Sequence, residues 1–206
     1  MIKKIALIIL KNISYFKLIK KHHDKLNLCS GNQVIEGYTS LDYNFSADLI
    51  VNLNKGRLPF KSESMSAVVC TSAINYFTRS RGQEIINEVY RILKVNGIAR
   101  FSSQDLELIA KKYVNRDTNF FFEKLLNGKE RFEGTTIGDK FNSWFYGYET
   151  HAGSCKYFYD YETLSSLFVS AGFKIVEKKK YLESNLASVD KIDNRKDQMF
   201  FLEAVK

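Results

Sequence analysis

From Lys25 to Val114 the chain alternates short apolar runs with stretches of helical period, and this alternation restricts the fold more than any other feature. Lys25–Cys29, Tyr38–Tyr43, Asp48–Leu53 and Ala67–Thr71 are runs of strand length. Gln83–Leu93 then places Ile85, Ile86, Val89, Tyr90, Ile92 and Leu93 at helical spacing, an apolar face suited to lie on a sheet. Asn96-Gly97 is expected to close that helix with a glycine stop, Ile98–Ser102 to resume strand character, and Leu106–Val114 to be helical again. Thr163–Ala171 repeats the pattern of an amphipathic helix ending at a glycine, Gly172, with Phe173–Glu177 and Gln198–Val205 as closing strands. The early strands do not alternate polar with apolar residues, so they are buried on both faces. That is the mark of a mainly parallel sheet covered by helices, an α/β fold.

A chain of 206 residues with one proline, Pro59, and no Pro/Gly/Ser-rich linker is expected to form one domain over residues 1–206. One connection is unusual. Only about eight residues separate the first two strands, fewer than a parallel crossover helix needs, so a single helical turn or an extended crossover is expected there. Residues 115–160 lack clear periodicity and hold Phe120–Phe122, Trp144, Phe145, Tyr146, Tyr148, Tyr157, Phe158 and Tyr159. This aromatic-rich stretch is expected to be an insertion lying over the site.

The formal net charge is +8, but it is unevenly placed. Residues 1–25 hold seven lysines against the single acid Asp24, so the remainder is close to neutral and no nucleic-acid footprint covers the domain. Ile2, Ile5, Ile9, Ile13 and Phe16 share one helical stripe in this leader. A basic N-terminal helix over residues 1–24 is expected, either packed on the domain or resting on anionic lipid as a peripheral membrane contact. The apolar run Ile5–Leu10 is too short to span a bilayer. The three cysteines, Cys29, Cys70 and Cys155, are odd in number and at no metal-ligand spacing; a reduced, cytoplasmic compartment and no metal site are expected.

In an open parallel sheet, ligands bind beyond the carboxyl ends of the strands, where strand order reverses. Four strand ends converge there: Cys29-Ser30-Gly31-Asn32, then Asp42, then Asn52-Leu53, then Thr71-Ser72-Ala73. Small residues at 29–31 let the backbone approach a ligand. An acid such as Asp42 can accept from two ribose hydroxyls, and Asn52 can pair with an adenine edge.

The order of these pieces resembles that of class I S-adenosylmethionine-dependent methyltransferases, in particular the small bacterial "type 11" methyltransferase-like family often associated with surface-polysaccharide biosynthesis. The matching pieces stand here as LNLCSGN, GYTSLDYN, ADLIVNLN, LPFKSESMSAVV, INEVYRILKVNG and FSSQDLELI, followed by HAGSCKYFYDYETLSSLFVSAGF. The resemblance implies a Rossmann-like seven-stranded sheet with an antiparallel last strand, and S-adenosylmethionine as cofactor. It implies that Leu28, Cys29, Ser30 and Gly31, with Asn27 before them, face the methionine and ribose part. Asp42 with Tyr43 is implied at the ribose hydroxyls, Asn52-Leu53 at adenine, and Thr71, Ser72 and Ala73 at the floor near the sulfonium.

For catalysis, His151 matches the family's histidine and is a candidate base or substrate-positioning residue. Asp105, after the fifth strand, is the other candidate, with a helix N-terminal acid as its plainer reading. The activity implied is methyl transfer to an oxygen of a small-molecule or saccharide acceptor. The chain departs from the family at Cys29, where a glycine is usual, and at Asn27, Asn52, Ser66, Ala73, Asn75, Tyr76 and Val95. If position 29 has a positive φ, a cysteine there adds strain on the order of 1–2 kcal/mol. The substitutions at 29, 52, 66, 73, 75 and 76 motivate the alternative of a catalytically inactive methyltransferase-like interaction module.

Overall fold

A computed structural model describes residues 15–16, 23–125, 127–147, 149–150 and 153–206. The leader falls almost wholly outside the described residues. Tyr15–Phe16, expected within an N-terminal helix, instead forms a two-residue strand, β1. The expected strands follow as β2 (Lys25–Leu28), β3 (Thr39–Asp42), β4 (Leu49–Val51) and β5 (Met65–Thr71). Then come helix α1 (Arg79–Ile92), β6 (Leu93–Gln104), and helices α2 (Leu106–Val114), α3 (Thr118–Phe121) and α4 (Ile137–Tyr146). A small hairpin of β7 (Glu149–Thr150) and β8 (Gly153–Ser154) precedes α5 (Tyr161–Ala171), β9 (Ile175–Lys179), α6 (Val189–Ile192) and β10 (Met199–Val205).

The main sheet runs β1-β4-β3-β2-β5-β6-β10-β9. Its centre, β4-β3-β2-β5-β6, is parallel throughout, and β10 lies antiparallel to both β6 and β9. This is the expected seven-stranded sheet, extended at one edge by β1 lying antiparallel to β4. The first crossover, residues 29–38, contains no helix and is an extended path. Strand order reverses between β2 and β5, the switch point.

One face of the sheet carries the principal core. Leu26, Leu28, Leu41, Val68, Cys70 and Phe101 point to it and are covered by α1 and α5 through Ile86, Val89, Leu164 and Phe168. The alternate residues of β5, Ala67 and Val69, face the other side, where Ile35, Tyr38 and Ile192 of α6 close a smaller cluster. A buried charge completes this thinner face. Arg100, 1% exposed in the middle of β6, donates from Nε and Nη2 to both carboxylate oxygens of Asp193, at 2.8 and 2.6 Å. Nη1 also reaches Glu203 of β10 at 3.3 Å and the Glu183 carbonyl at 2.9 Å. Asp193 accepts in addition from the Leu182 amide, and Glu203 from the Asn185 amide and the Ser184 hydroxyl. The connection between β9 and β10 is thereby wrapped around charges belonging to the sheet.

Two boundaries differ from expectation for identifiable reasons. Helix α1 starts at Arg79, because the Thr78 side chain accepts from the Arg81 amide as an N-cap. It ends without a glycine: the carbonyls of Arg91 and Ile92 accept from the amides of Glu63 and Ser64, which satisfies the last turn from outside. Asn96, at φ 62°, and Gly97 therefore lie inside β6, not at a helix stop. Gly172, at φ 105°, does cap α5 as expected. The aromatic stretch folds upon itself: Ile109 of α2 packs with Phe121, Phe132, Ile137 and Trp144, and Phe120 stacks on Trp144 at 5.4 Å.

Candidate functional site

A cleft of about 620 Å³ opens at the carboxyl ends of the parallel strands, astride the switch point. Ten of the twelve expected cofactor residues line it: Cys29 to Gly31, Asp42, Tyr43, Asn52, Leu53 and Thr71 to Ala73. The other two do not. Leu28 is fully buried in the core, and Asn27, 2% exposed, donates from Nδ2 to the Gln33 carbonyl at 3.1 Å. Both belong to β2, whose side chains point into the sheet's two faces, so the cleft begins one residue later.

The loop after β2 is built locally. The Ser30 amide donates to the Leu41 carbonyl at 3.1 Å, and the Gly31 amide to Asp42 Oδ2 at 2.9 Å. The end of β2 is thus tied to the end of β3, and the Asp42 carboxylate is held in one orientation at the cleft wall. Cys29 has φ 55° and Gly31 φ 56°, so the loop keeps a left-handed turn at a position occupied by a cysteine. The strain anticipated for a non-glycine residue there, on the order of 1–2 kcal/mol, is present. Its side chain packs against the principal core. Hydrogen bonding to the Cys70 thiol, then burial, pushes the Cys29 thiol well above the usual range, so it stays protonated and unreactive. At Gly31 the space where a Cβ would stand meets nothing within 4 Å, leaving the backbone open to a ligand.

Asn52 lines the cleft, but its Oδ1 accepts from the Asn54 amide at 3.0 Å, and its carbonyl accepts from Lys55. It is a turn-forming residue whose oxygen is already engaged, unlike the doubly available amide expected. Burial pushes the Tyr43 phenol upward, so at neutral pH it is a hydrogen-bond donor. Thr71 donates to the carbonyl of Ile192 at 3.2 Å, which joins the floor to the β9–β10 connection.

The two catalytic candidates are not in the described cleft. Asp105 is the N-cap of α2, accepting from the Leu108 amide at 3.2 Å, and is not a lining residue. The plainer reading of that acid, a helix N-terminus, is its place in the fold. His151 lies outside the described residues. None of the described residues of 115–160 lines the cleft; the stretch reaches it only at its end, where Lys156 Nζ donates to Asn54 at 3.3 Å. Asn75, which stands where the family loop carries an acid, is buried. Its carbonyl accepts from Lys156 and Tyr157, and its Nδ2 donates to the Cys155 sulfur at 2.9 Å.

Several lining residues were not read from the sequence. Gln33 and Asn44 flank the first loop, Tyr76 and Phe77 follow β5, and Gln104 closes β6. Asn194 and Arg195 enter from the β9–β10 connection, a stretch with no clear period. Arg100, a charge between the apolar residues Ala99 and Phe101 of β6, was the available signal that something distant had to meet it.

The family model described as a methyltransferase domain matches residues 38–101, from just before β3 to within β6. Among curated proteins none matches. Among solved structures, the chain is similar to a protein from Methanosarcina mazei described as a SAM-dependent methyltransferase, at 16% identity and TM-score 0.51, covering 92% of this chain and 94% of that one. It is also similar to a SAM-dependent methyltransferase from Archaeoglobus fulgidus, at 13% identity and TM-score 0.50, covering 99% and 94%. At such identities the likeness concerns the fold. Sheet order is that of a Rossmann-like methyltransferase fold, and the methyltransferase-domain match lies on the strands that carry the cleft. S-adenosylmethionine is accordingly its expected cofactor, and the open backbone at Gly31 beside the oriented Asp42 carboxylate fits a ribose-bearing group.

Proposed function

We propose that the enzyme transfers a methyl group to an oxygen of a small polar acceptor, a saccharide by preference. The observation that carries this reading is the cleft lining. Seven carboxamides, Asn32, Gln33, Asn44, Asn52, Asn54, Gln104 and Asn194, surround a cavity whose described carboxylate is Asp42 alone. Amides offer donors and acceptors without charge, which suits hydroxyl-rich ligands. A cavity of about 620 Å³ is of small-molecule size. The resemblance to polysaccharide-associated methyltransferases, and three cysteines all unpaired, support a cytoplasmic enzyme of glycan biosynthesis. Among the described residues no helix is long and apolar enough to cross a membrane.

When bound, the cofactor would supply an electrophilic sulfonium methyl, to which an acceptor oxygen forms a C–O bond in line as the C–S bond breaks, releasing S-adenosylhomocysteine and the hydroxyl proton. The protein's contribution is positional: Asp42 and the Gly31 backbone hold the ribose end, Thr71 to Ala73 form the floor, and the amides of Gln104 and Asn194 orient the acceptor. Calorimetry with S-adenosylhomocysteine tests the reading. Micromolar binding is expected, and Asp42→Ala should weaken it at least tenfold; an absence of heat with either form of the cofactor would sink the proposal.

A further inference from the structure

The cleft continues past the switch point onto the ends of β5 and β6, and this half has a chemistry the β2–β4 half lacks. Ser72, at φ 56°, holds its Oγ where Gln104 Nε2 donates at 2.9 Å and Arg195 Nη1 at 3.0 Å. A hydroxyl that accepts twice keeps its own proton to donate. Arg195 is exposed, and among the described residues Ser72 is the one side chain bonded to it; no carboxylate pairs with its guanidinium. Gln104 is 2% exposed, and among the described residues its Oε1 has no partner and Asn194 Oδ1 is likewise unpaired. A buried carbonyl oxygen without a donor is left desolvated and unpaired, a penalty that a ligand hydroxyl removes.

These groups form two adjacent requirements. Arg195 and the Ser72 hydroxyl are donors, one of them cationic, with most of the guanidinium fork unengaged; such a pair receives an oxyanion. Gln104 and Asn194 are acceptors that call for hydroxyl groups. We infer that the β5–β6 half of the cleft is the acceptor subsite, and that it selects hydroxyl-bearing acceptors carrying an oxyanion, either a carboxylate or a phosphate. The inference rests on the cofactor reading above, which places the ribose and adenine over β2–β4 and brings the sulfonium to Thr71–Ala73, at the border of this half.

The test titrates the protein saturated with S-adenosylhomocysteine, by nitrogen-15 NMR, with inorganic phosphate and separately with acetate, using chloride at equal ionic strength as reference. Saturable shifts at the Ser72 amide and the Arg195 Nε–H are expected for at least one oxyanion, and the arm that responds identifies phosphate or carboxylate. Arg195→Gln should weaken that response at least tenfold and leave S-adenosylhomocysteine affinity within threefold, while Arg195→Lys keeps a weaker response. The inference is overturned if chloride gives the same shifts, if no oxyanion gives any, or if Arg195→Gln leaves them intact. It is also overturned if Arg195→Gln weakens S-adenosylhomocysteine as much as the anion, which would give Arg195 to the cofactor. A wild-type protein that binds no S-adenosylhomocysteine overturns instead the cofactor reading beneath it.

Discussion

The two halves of the cleft rim are built in opposite ways. Around β2–β4 the contacts are short in sequence: Gly31 bonds to Asp42, Ser30 to Leu41, Asn52 to Asn54, all between backbone groups or to a backbone group. Around β5–β6 they are long. Arg195 reaches Ser72 across 123 residues and Thr71 reaches Ile192 across 121; the same connection sends one tie to the β2 loop, where Gln33 donates to Lys191 across 158. The first half is a local turn motif on strand ends. The second is a connection brought in from the far end of the chain and fastened by the buried Arg100–Asp193–Glu203 group. The lesson is that the two functions need different supports: a common cofactor is served by a compact motif, whereas an acceptor site is shaped by whatever distant segment the sheet can anchor.

The comparison breaks most forcefully at Asp193. Replacing it with alanine leaves the Arg100 guanidinium buried without its bidentate partner, which costs about 3–5 kcal/mol. Urea unfolding should show that loss, and at temperatures where the variant is folded, affinity for S-adenosylhomocysteine should change less than the response to oxyanions. Equal losses would mean that the two halves are not independently supported.

A smaller effect is expected on the local side. Cys29→Gly relieves left-handed strain of about 1–2 kcal/mol but adds the entropic cost of glycine, roughly 0.5–1 kcal/mol, and gives up the sulfur's contact with Cys70. A net stability change within about 1 kcal/mol is expected, with cofactor affinity unaltered, because the thiol packs on the core. A large gain in affinity would show instead that the sulfur crowds the ligand.

The smallest effect at neutral pH serves as a reference point beneath both halves. Tyr159 is fully buried with its hydroxyl unpartnered, and burial pushes its phenol up to about 12. Its folded value lies above the unfolded one near 10, so its stabilising contribution is complete below pH 10 and is lost as pH rises toward 12. Tyr159→Phe should be near neutral at pH 7 and should flatten the fall in stability between those values, as followed by circular dichroism.

Legibility in the sequence follows the same division. The strands of the parallel centre, the helices at 79–92 and 161–171 and the positions of Cys29, Asp42 and Thr71 could be read, because period, turn residues and order are local properties. The stop of α1 could not, since it is made by amides from Glu63 and Ser64, nearly thirty residues upstream. Asn194 and Arg195 escaped notice because no nearby pattern announces a segment whose placement is decided by a charge in another strand. The role of Asp105 turned on whether its carboxylate faced the cleft or its own helix, which spacing alone does not decide.

The buried Arg100 group has a consequence in time. A guanidinium can leave water at tolerable cost only once its carboxylates have arrived, and here they sit on β10 and on the segment just before it. Closing that loop spans 93 residues, so its entropy must be met before the contact contributes. The cofactor half can therefore be organised while the tail of the chain is still free, and the wall bearing Arg195 cannot. Competence to discriminate an acceptor is in this sense the last property this fold acquires, and it depends on Asp193 and Glu203 reaching Arg100.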